Sequence, residues 1–258
     1  MSEAALWRRL VAEGLGCVFL AAVVVGSGIA AQQLSPHQVG LELLENALAT
    51  AAGLYAIILM FGGVSGAHFN PVVSFVDAYF GGLKWRDAAA YLPVQVAGCI
   101  GGAILANVMF ALPAVSISTK QRASGPHFLS EIVATLGLLL VIFALARTRR
   151  SHITPAAVGA YIGAAYFFTS STSFANPAIA VGRMFSNTFA GIAPSSVPTF
   201  VVAEVIGGIV AVVAIMVLYP DLTRDEAADI IVPHHGSDAG TAVVPSAAAA
   251  PPSVDAHD

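Results

Sequence analysis

The sequence predicts an all-α membrane protein with six transmembrane helices plus two half-helices, arranged as an inverted repeat. Three observations carry this. The 258 residues are 57% hydrophobic and only 10% charged, with a mean hydropathy of +0.80, whereas a soluble domain carries about 25% charged residues. Apolar stretches long enough to cross a bilayer recur along the chain. Two Asn-Pro steps, 106 residues apart, each precede an apolar piece too short to cross. The composition excludes a coiled coil and a disulfide scaffold, since Cys17 and Cys99 both lie within apolar runs. No basic patch points to nucleic acid.

The six long stretches fall at 10–30, 44–64, 88–112, 129–147, 154–170 and 198–219. The first follows Arg8 and Arg9 as a secretory signal would, but its length and the Glu13 within it mark a retained span. The short pieces lie at 71–80 and 177–186; ten helical residues cover about 15 Å, half of the hydrocarbon core. Residues 1–219 form the six-span body, with repeats at about 1–127 and 128–219. They hold ten Lys/Arg against eight Asp/Glu, whereas residues 220–258 hold only Arg224 against seven acids. That Pro- and Ala-rich end reads as an acidic, disordered cytoplasmic tail. Its His234-His235 pair is at most an adventitious metal binder, and no cofactor or metal site is expected in the spans.

Positive charge sets the expected orientation. Arg8, Arg9, Lys84, Arg86, Arg147, Arg149, Arg150 and Arg224 fall on one side, and the connections at 31–43 and 113–128 on the other hold only Lys120 and Arg122. The positive-inside rule places both termini in the cytoplasm, which an even number of spans allows, and the plasma membrane is the expected location.

The halves echo each other. Glu13 and Glu131 lie in the first span of each, 118 residues apart, and Gln95-Val-Ala-Gly98 matches Glu204-Val-Ile-Gly207 at an offset of 109. Three spans per half is odd, so the second half inserts upside down, a pattern that places a permeation or transport site where the short helices meet. The Asn-Pro steps read Ser65-Gly-Ala-His-Phe-Asn70-Pro71-Val72 and Ser171-Thr-Ser-Phe-Ala-Asn176-Pro177-Ala178. Asn at the N-cap with Pro at the first helical position is a helix start. Gly98-x-x-x-Gly102 and Gly159-x-x-x-Gly163 are expected to be close-packing surfaces.

These paired boxes, the span glutamates and the span order resemble the aquaporin (major intrinsic protein) family over residues 7–219, and the boxes look most like a microbial branch. The resemblance implies an hourglass fold in which the two half-helices meet at the midplane, and a homotetramer with one pore per subunit. It implies a passive path for water and small neutral solutes lined by Asn70 and Asn176, whose amides donate to passing oxygens. Half-helix N-termini, each carrying about half a positive charge, would repel cations there. Glu13 and Glu131 would support the pore loops, with Pro71 and Pro177 starting the half-helices. His68 either lines the pore or braces its loop, and Glu204 has no assigned role.

In the resembled family an outer filter carries an arginine three residues after the second Asn; here that residue is Ile179. Thr50 falls at the second-span filter position and Ser173 in the loop. The fifth-span position falls on Ala164, or on Tyr166 if the preceding loop is two residues shorter. Arg183, one turn after Ile179, either reaches back to the filter or snorkels at the interface. A wide, weakly polar filter would pass glycerol-like polyols and arsenous acid as well as water. Two other functions compete: a proton-coupled inverted-repeat transporter using the span glutamates, and a non-conducting membrane scaffold. No nucleophile–base or metal-ligand spacing in the spans suggests an enzyme.

Overall fold

The computed structural model describes residues 4–220. The proposed tail, with His234 and His235, lies outside the described residues. Within them the chain forms α1 (Leu6–Leu34), α2 (Val39–Ser65), α3 (Pro71–Phe80), α4 (Trp85–Met109), α5 (Gly125–Arg147), α6 (Thr154–Phe168), α7 (Pro177–Gly182) and α8 (Val197–Leu218). Five of these elements, α1, α2, α4, α5 and α8, are both long and apolar enough to cross a membrane. The fifth expected span is shorter: α6 has 15 residues. A 3₁₀ turn at Ser151–Ile153 runs directly into it. At about 1.5 Å per α residue and 2.0 Å per 3₁₀ residue, the combined segment reaches about 28 Å, close to the hydrocarbon thickness.

Packing follows the inverted repeat. α1 packs on α4 and on α2, as α5 packs on α8 and on α6. The half-helices cross over: α3 touches α8 as well as α4, and α7 touches α4 as well as α8, while α3 and α7 meet each other. α2 and α6 close the ring.

Glycine permits the tightest of these contacts. A Cβ on Gly98 of α4 would lie 2.6 Å from the Gly14 carbonyl oxygen of α1, and one on Gly207 of α8 would lie 2.7 Å from Ile132 O of α5. The two pairs are related by the offsets of the repeat. Small residues let backbones approach where lipid supplies no hydrophobic drive between helices. Gly98→Val is expected to force α1 and α4 apart, costing about 1–3 kcal/mol or more. The check is a lower unfolding temperature in detergent than the unmodified chain shows.

Candidate functional site

Each half-helix starts as its sequence directs. Asn70 caps α3 by accepting from Val72 N at 3.0 Å, and Pro71 follows at the first helical position. Asn176 caps α7 through Ala178 N (3.0 Å) and Ile179 N (3.3 Å), with Pro177 next. The approaches to both caps are strained in the same way. Gly66, Ala67 and Phe69 have positive φ, as do Thr172, Ser173 and Ala175 at the matching positions. Left-handed backbone costs a non-glycine residue roughly 1–2 kcal/mol, so such loops persist only where their surroundings hold them.

The span glutamates hold them. Glu13 Oε1 accepts from Ser65 Oγ (2.7 Å) and His68 N (3.0 Å), and its Oε2 accepts from Phe69 N (2.7 Å) and Gln95 Nε2 (2.8 Å). Glu131 accepts from Phe174 N (3.0 Å) and Ala175 N (2.7 Å). Glu204, left without a role by the sequence, accepts from Asn176 N at 3.0 Å. Gln95 stands at the matching place in the first half, so the offset between the two was the signal for Glu204. All three carboxylates serve loop amides that would otherwise be unsatisfied at membrane depth.

Where α3 and α7 meet, the asparagines reach across. Asn70 Nδ2 donates to Ala175 O and Asn176 Nδ2 donates to Phe69 O, both at 2.7 Å. A primary amide has two N–H donors; the second proton of each is left for a guest in the cavity that both residues line. This cavity measures about 60 Å³, room for a few waters at roughly 10–15 Å³ each.

The cavity brings together most of the residues singled out in the sequence: Thr50, His68, Asn70, Tyr166, Ser173, Asn176, Ile179 and Arg183 all line it. Ala164 does not; it is exposed, and of the two alternatives it is Tyr166 that faces the cavity. Two residues turn a helix by about 200°, so the two face opposite ways. Tyr166 Oη lies 3.1 Å from Thr50 Oγ1, and Ser173 Oγ has no hydrogen-bond partner among the described residues. His68 both lines the cavity and braces its surroundings, with Nδ1 3.1 Å from Ser74 Oγ.

Arg183 is not at the lipid interface, being only 2% exposed. Its guanidinium carbon stacks 3.5 Å from the Phe174 ring centroid, and its Nε donates to Ala190 O. Cation–ring attraction of this kind strengthens when desolvated. Arg122 holds the same outer loop, through Nε to Gly191 O at 2.8 Å and a guanidinium N–H to Phe189 O at 3.1 Å. Burial brings its guanidinium down to about 10, still charged at neutral pH.

The aliphatic part of the lining escaped the sequence reading. Leu20 and Val24, Leu54 and Ile58, Leu138 and Ile142, and Val158 and Ile162 line the cavity as i, i+4 pairs. The spacing was present in the sequence, but so were many other apolar pairs at the same interval. The lining therefore combines the loops around the two asparagines with aliphatic carbon from α1, α2, α5 and α6.

Residues 1–182 match the family model described as Major intrinsic protein. The chain is 50% identical to "Aquaglyceroporin AqpS" of Rhizobium meliloti (strain 1021) over 211 residues, covering 82% of this chain and 90% of that protein. It is 28% identical to "Probable aquaporin NIP7-1" of Arabidopsis thaliana over 181 residues, covering 68% of this chain and 65% of that one. Among solved structures, that of the aquaglyceroporin from Plasmodium falciparum aligns with a TM-score of 0.63 at 19% identity, over 84% of this chain and 98% of that one. At that identity the likeness speaks for the fold.

Proposed function

Because the chain belongs to the major intrinsic protein family, whose members are membrane channels rather than enzymes, we propose that it is a passive pore for water and small neutral solutes of the polyol type. The observation that carries this is the crossed pair of asparagines inside the cavity, each amide half used by the opposite loop and half left for a guest. Two helix N-termini, each with about half a positive charge, face one another there and raise the cost of a cation. Desolvated neutral solutes find amide donors and loop carbonyls in place of their lost waters.

The mixed lining favours polyols: hydroxyls find the loop groups while the carbon backbone finds aliphatic side chains. The 50% identical relative is named an aquaglyceroporin, which supports that choice. Arsenous acid, uncharged at neutral pH and similar in shape, belongs to the same solute class. Further parts of this reading are a homotetramer, placement in the plasma membrane, and both termini on the cytoplasmic side. The family resemblance supports the first, and the asymmetry of Lys and Arg supports the last.

The test is stopped-flow light scattering on proteoliposomes holding the full chain. Fast shrinkage in an impermeant osmolyte together with re-swelling in glycerol is expected; shrinkage without re-swelling would restrict the pore to water. Tyr166→Ala removes the bar across the lumen to Thr50. It should raise the glycerol-to-water permeability ratio at least about threefold, a modest effect on the scale at which a single pocket group discriminates between solutes. An unchanged ratio would place the size limit elsewhere. Tracer uptake of arsenous acid by the same vesicles tests the metalloid branch.

A further inference from the structure

Asp77 stands seven residues after Asn70, and Arg183 seven after Asn176. Both are buried, at 3% and 2% exposure. Each turns back on the ring two residues before its own asparagine. Asp77 Oδ2 lies 3.4 Å from His68 Nε2, and the Arg183 guanidinium carbon lies 3.5 Å from the Phe174 ring centroid. Both rings line the cavity. The two halves of the pore thus share one device, built with opposite charges.

A carboxylate at membrane depth is costly and marks a function by default. Asp77 lacks the duty that accounts for the glutamates: Glu13 and Glu131 each serve loop amides through both oxygens, whereas Asp77 Oδ1 has no hydrogen-bond partner among the described residues. What Asp77 does contact is His68. With Ser74 at Nδ1 and Asp77 at Nε2, both ring nitrogens have a protein atom within reach, so neither is free for a guest in the cavity the ring lines. A released Nε2 would instead hydrogen-bond the guest. It bonds one oxygen at a time, but a polyol offers another hydroxyl when one lets go, so a polyol would be held longer than a water.

We propose that Asp77 is a positioning residue that sets polyol-over-water selectivity by holding His68, as Arg183 holds Phe174 at the other end. The proposal rests on the channel reading and deepens it.

Water shrinkage and glycerol re-swelling, measured on the same vesicles for each variant, test it. Asp77→Ala should lower the glycerol-to-water ratio by about threefold or more, since one hydrogen bond to the guest is worth that much. Asp77→Asn keeps an oxygen facing Nε2 and should stay within about twofold of the unmodified chain. His68→Phe copies the ring used by the other half. In that background Asp77→Ala should no longer move the ratio, because residues acting through one another are non-additive. An unchanged ratio in Asp77→Ala, or the same fall with Phe at 68, overturns the proposal. Should Asp77→Ala fail to reconstitute, Asp77→Ser, whose hydroxyl is too short to reach Nε2, takes its place under the same criteria. Shrinkage of the unmodified chain no faster than that of empty vesicles would instead overturn the channel reading itself.

Discussion

Glu13→Ala is expected to abolish the folded pore. Its two oxygens accept from Ser65 Oγ, His68 N, Phe69 N and Gln95 Nε2. The site is fully buried, with Glu13 at 0% exposure. Alanine takes an acceptor from all four; Gln95 Nε2 keeps Ser74 Oγ at 3.0 Å, but the other three are left without one, and each unsatisfied buried donor costs about 1–3 kcal/mol. No water within the bilayer core relieves them. Two of the four are amides of a loop already strained by positive φ at Ala67 and Phe69. The loop leads directly into Asn70 at the start of α3, so its disordering also disturbs Asn70 at the pore centre. The expected readouts are a broadened or shifted peak in size-exclusion chromatography, a large drop in unfolding temperature, and water flux at the level of empty vesicles. Glu13→Gln should fall between, because one oxygen remains to accept while the new amide presents donors to donors. A stable, conducting Glu13→Ala variant would show that the loop is held by something else.

Asn176→Asp should fold and yet fail to conduct normally. Aspartate is as good an N-cap as asparagine, so the bonds from Ala178 N and Ile179 N survive. The donor to Phe69 O, 2.7 Å away, is lost and replaced by an oxygen facing an oxygen. The half-amide left for the guest is lost as well, and a negative charge now stands between the half-helix N-termini. A lost hydrogen bond with unsatisfied partners costs about 1–3 kcal/mol, which corresponds to a fall in water flux of roughly five- to 150-fold. The added charge also removes the barrier to cations, so a cation leak should appear in vesicles under a potassium gradient. Asn176→Leu separates the effects: it should lose flux without leaking, and lose stability by about 0.5–2 kcal/mol for the missing cap. Normal water flux in Asn176→Asp would mean that the crossed asparagines hold the loops together but do not handle the guest.

The half-helices were legible because their start signals are local. Asn-Pro supplies the capping oxygen, the fixed φ and the missing N–H within two residues, so Pro71 and Pro177 stand where the sequence puts them. The repeat was legible for a similar reason, since its offsets need no knowledge of packing. The filter was not. Choosing between Ala164 and Tyr166 depends on the rotational phase of α6, and a loop longer or shorter by two residues reverses it. Arg183 was equally open, since its place depends on Phe174 and Ala190 coming to meet it. Asp77 went unnoticed although its spacing from Asn70 repeats that of Arg183 from Asn176, because opposite charges hide a shared geometry.

Composition, span lengths and paired caps, read from the sequence by themselves, determined that this is a membrane protein with two facing half-helices and an amide at each tip. Those are properties of short segments in a medium that tolerates few alternatives: lipid leaves the backbone almost no choice but helices, with irregular chain confined to a lined cavity. Only the tertiary structure decided which side chains share the lumen. Thr50, Tyr166, Ser173 and Arg183 come from different segments of chain and line one cavity, and His68, which lines it too, pairs with Asp77. Such meetings depend on the phase and crossing of packed helices, on close contacts such as that of Gly98 with Gly14, and on glutamates binding loops from distant spans.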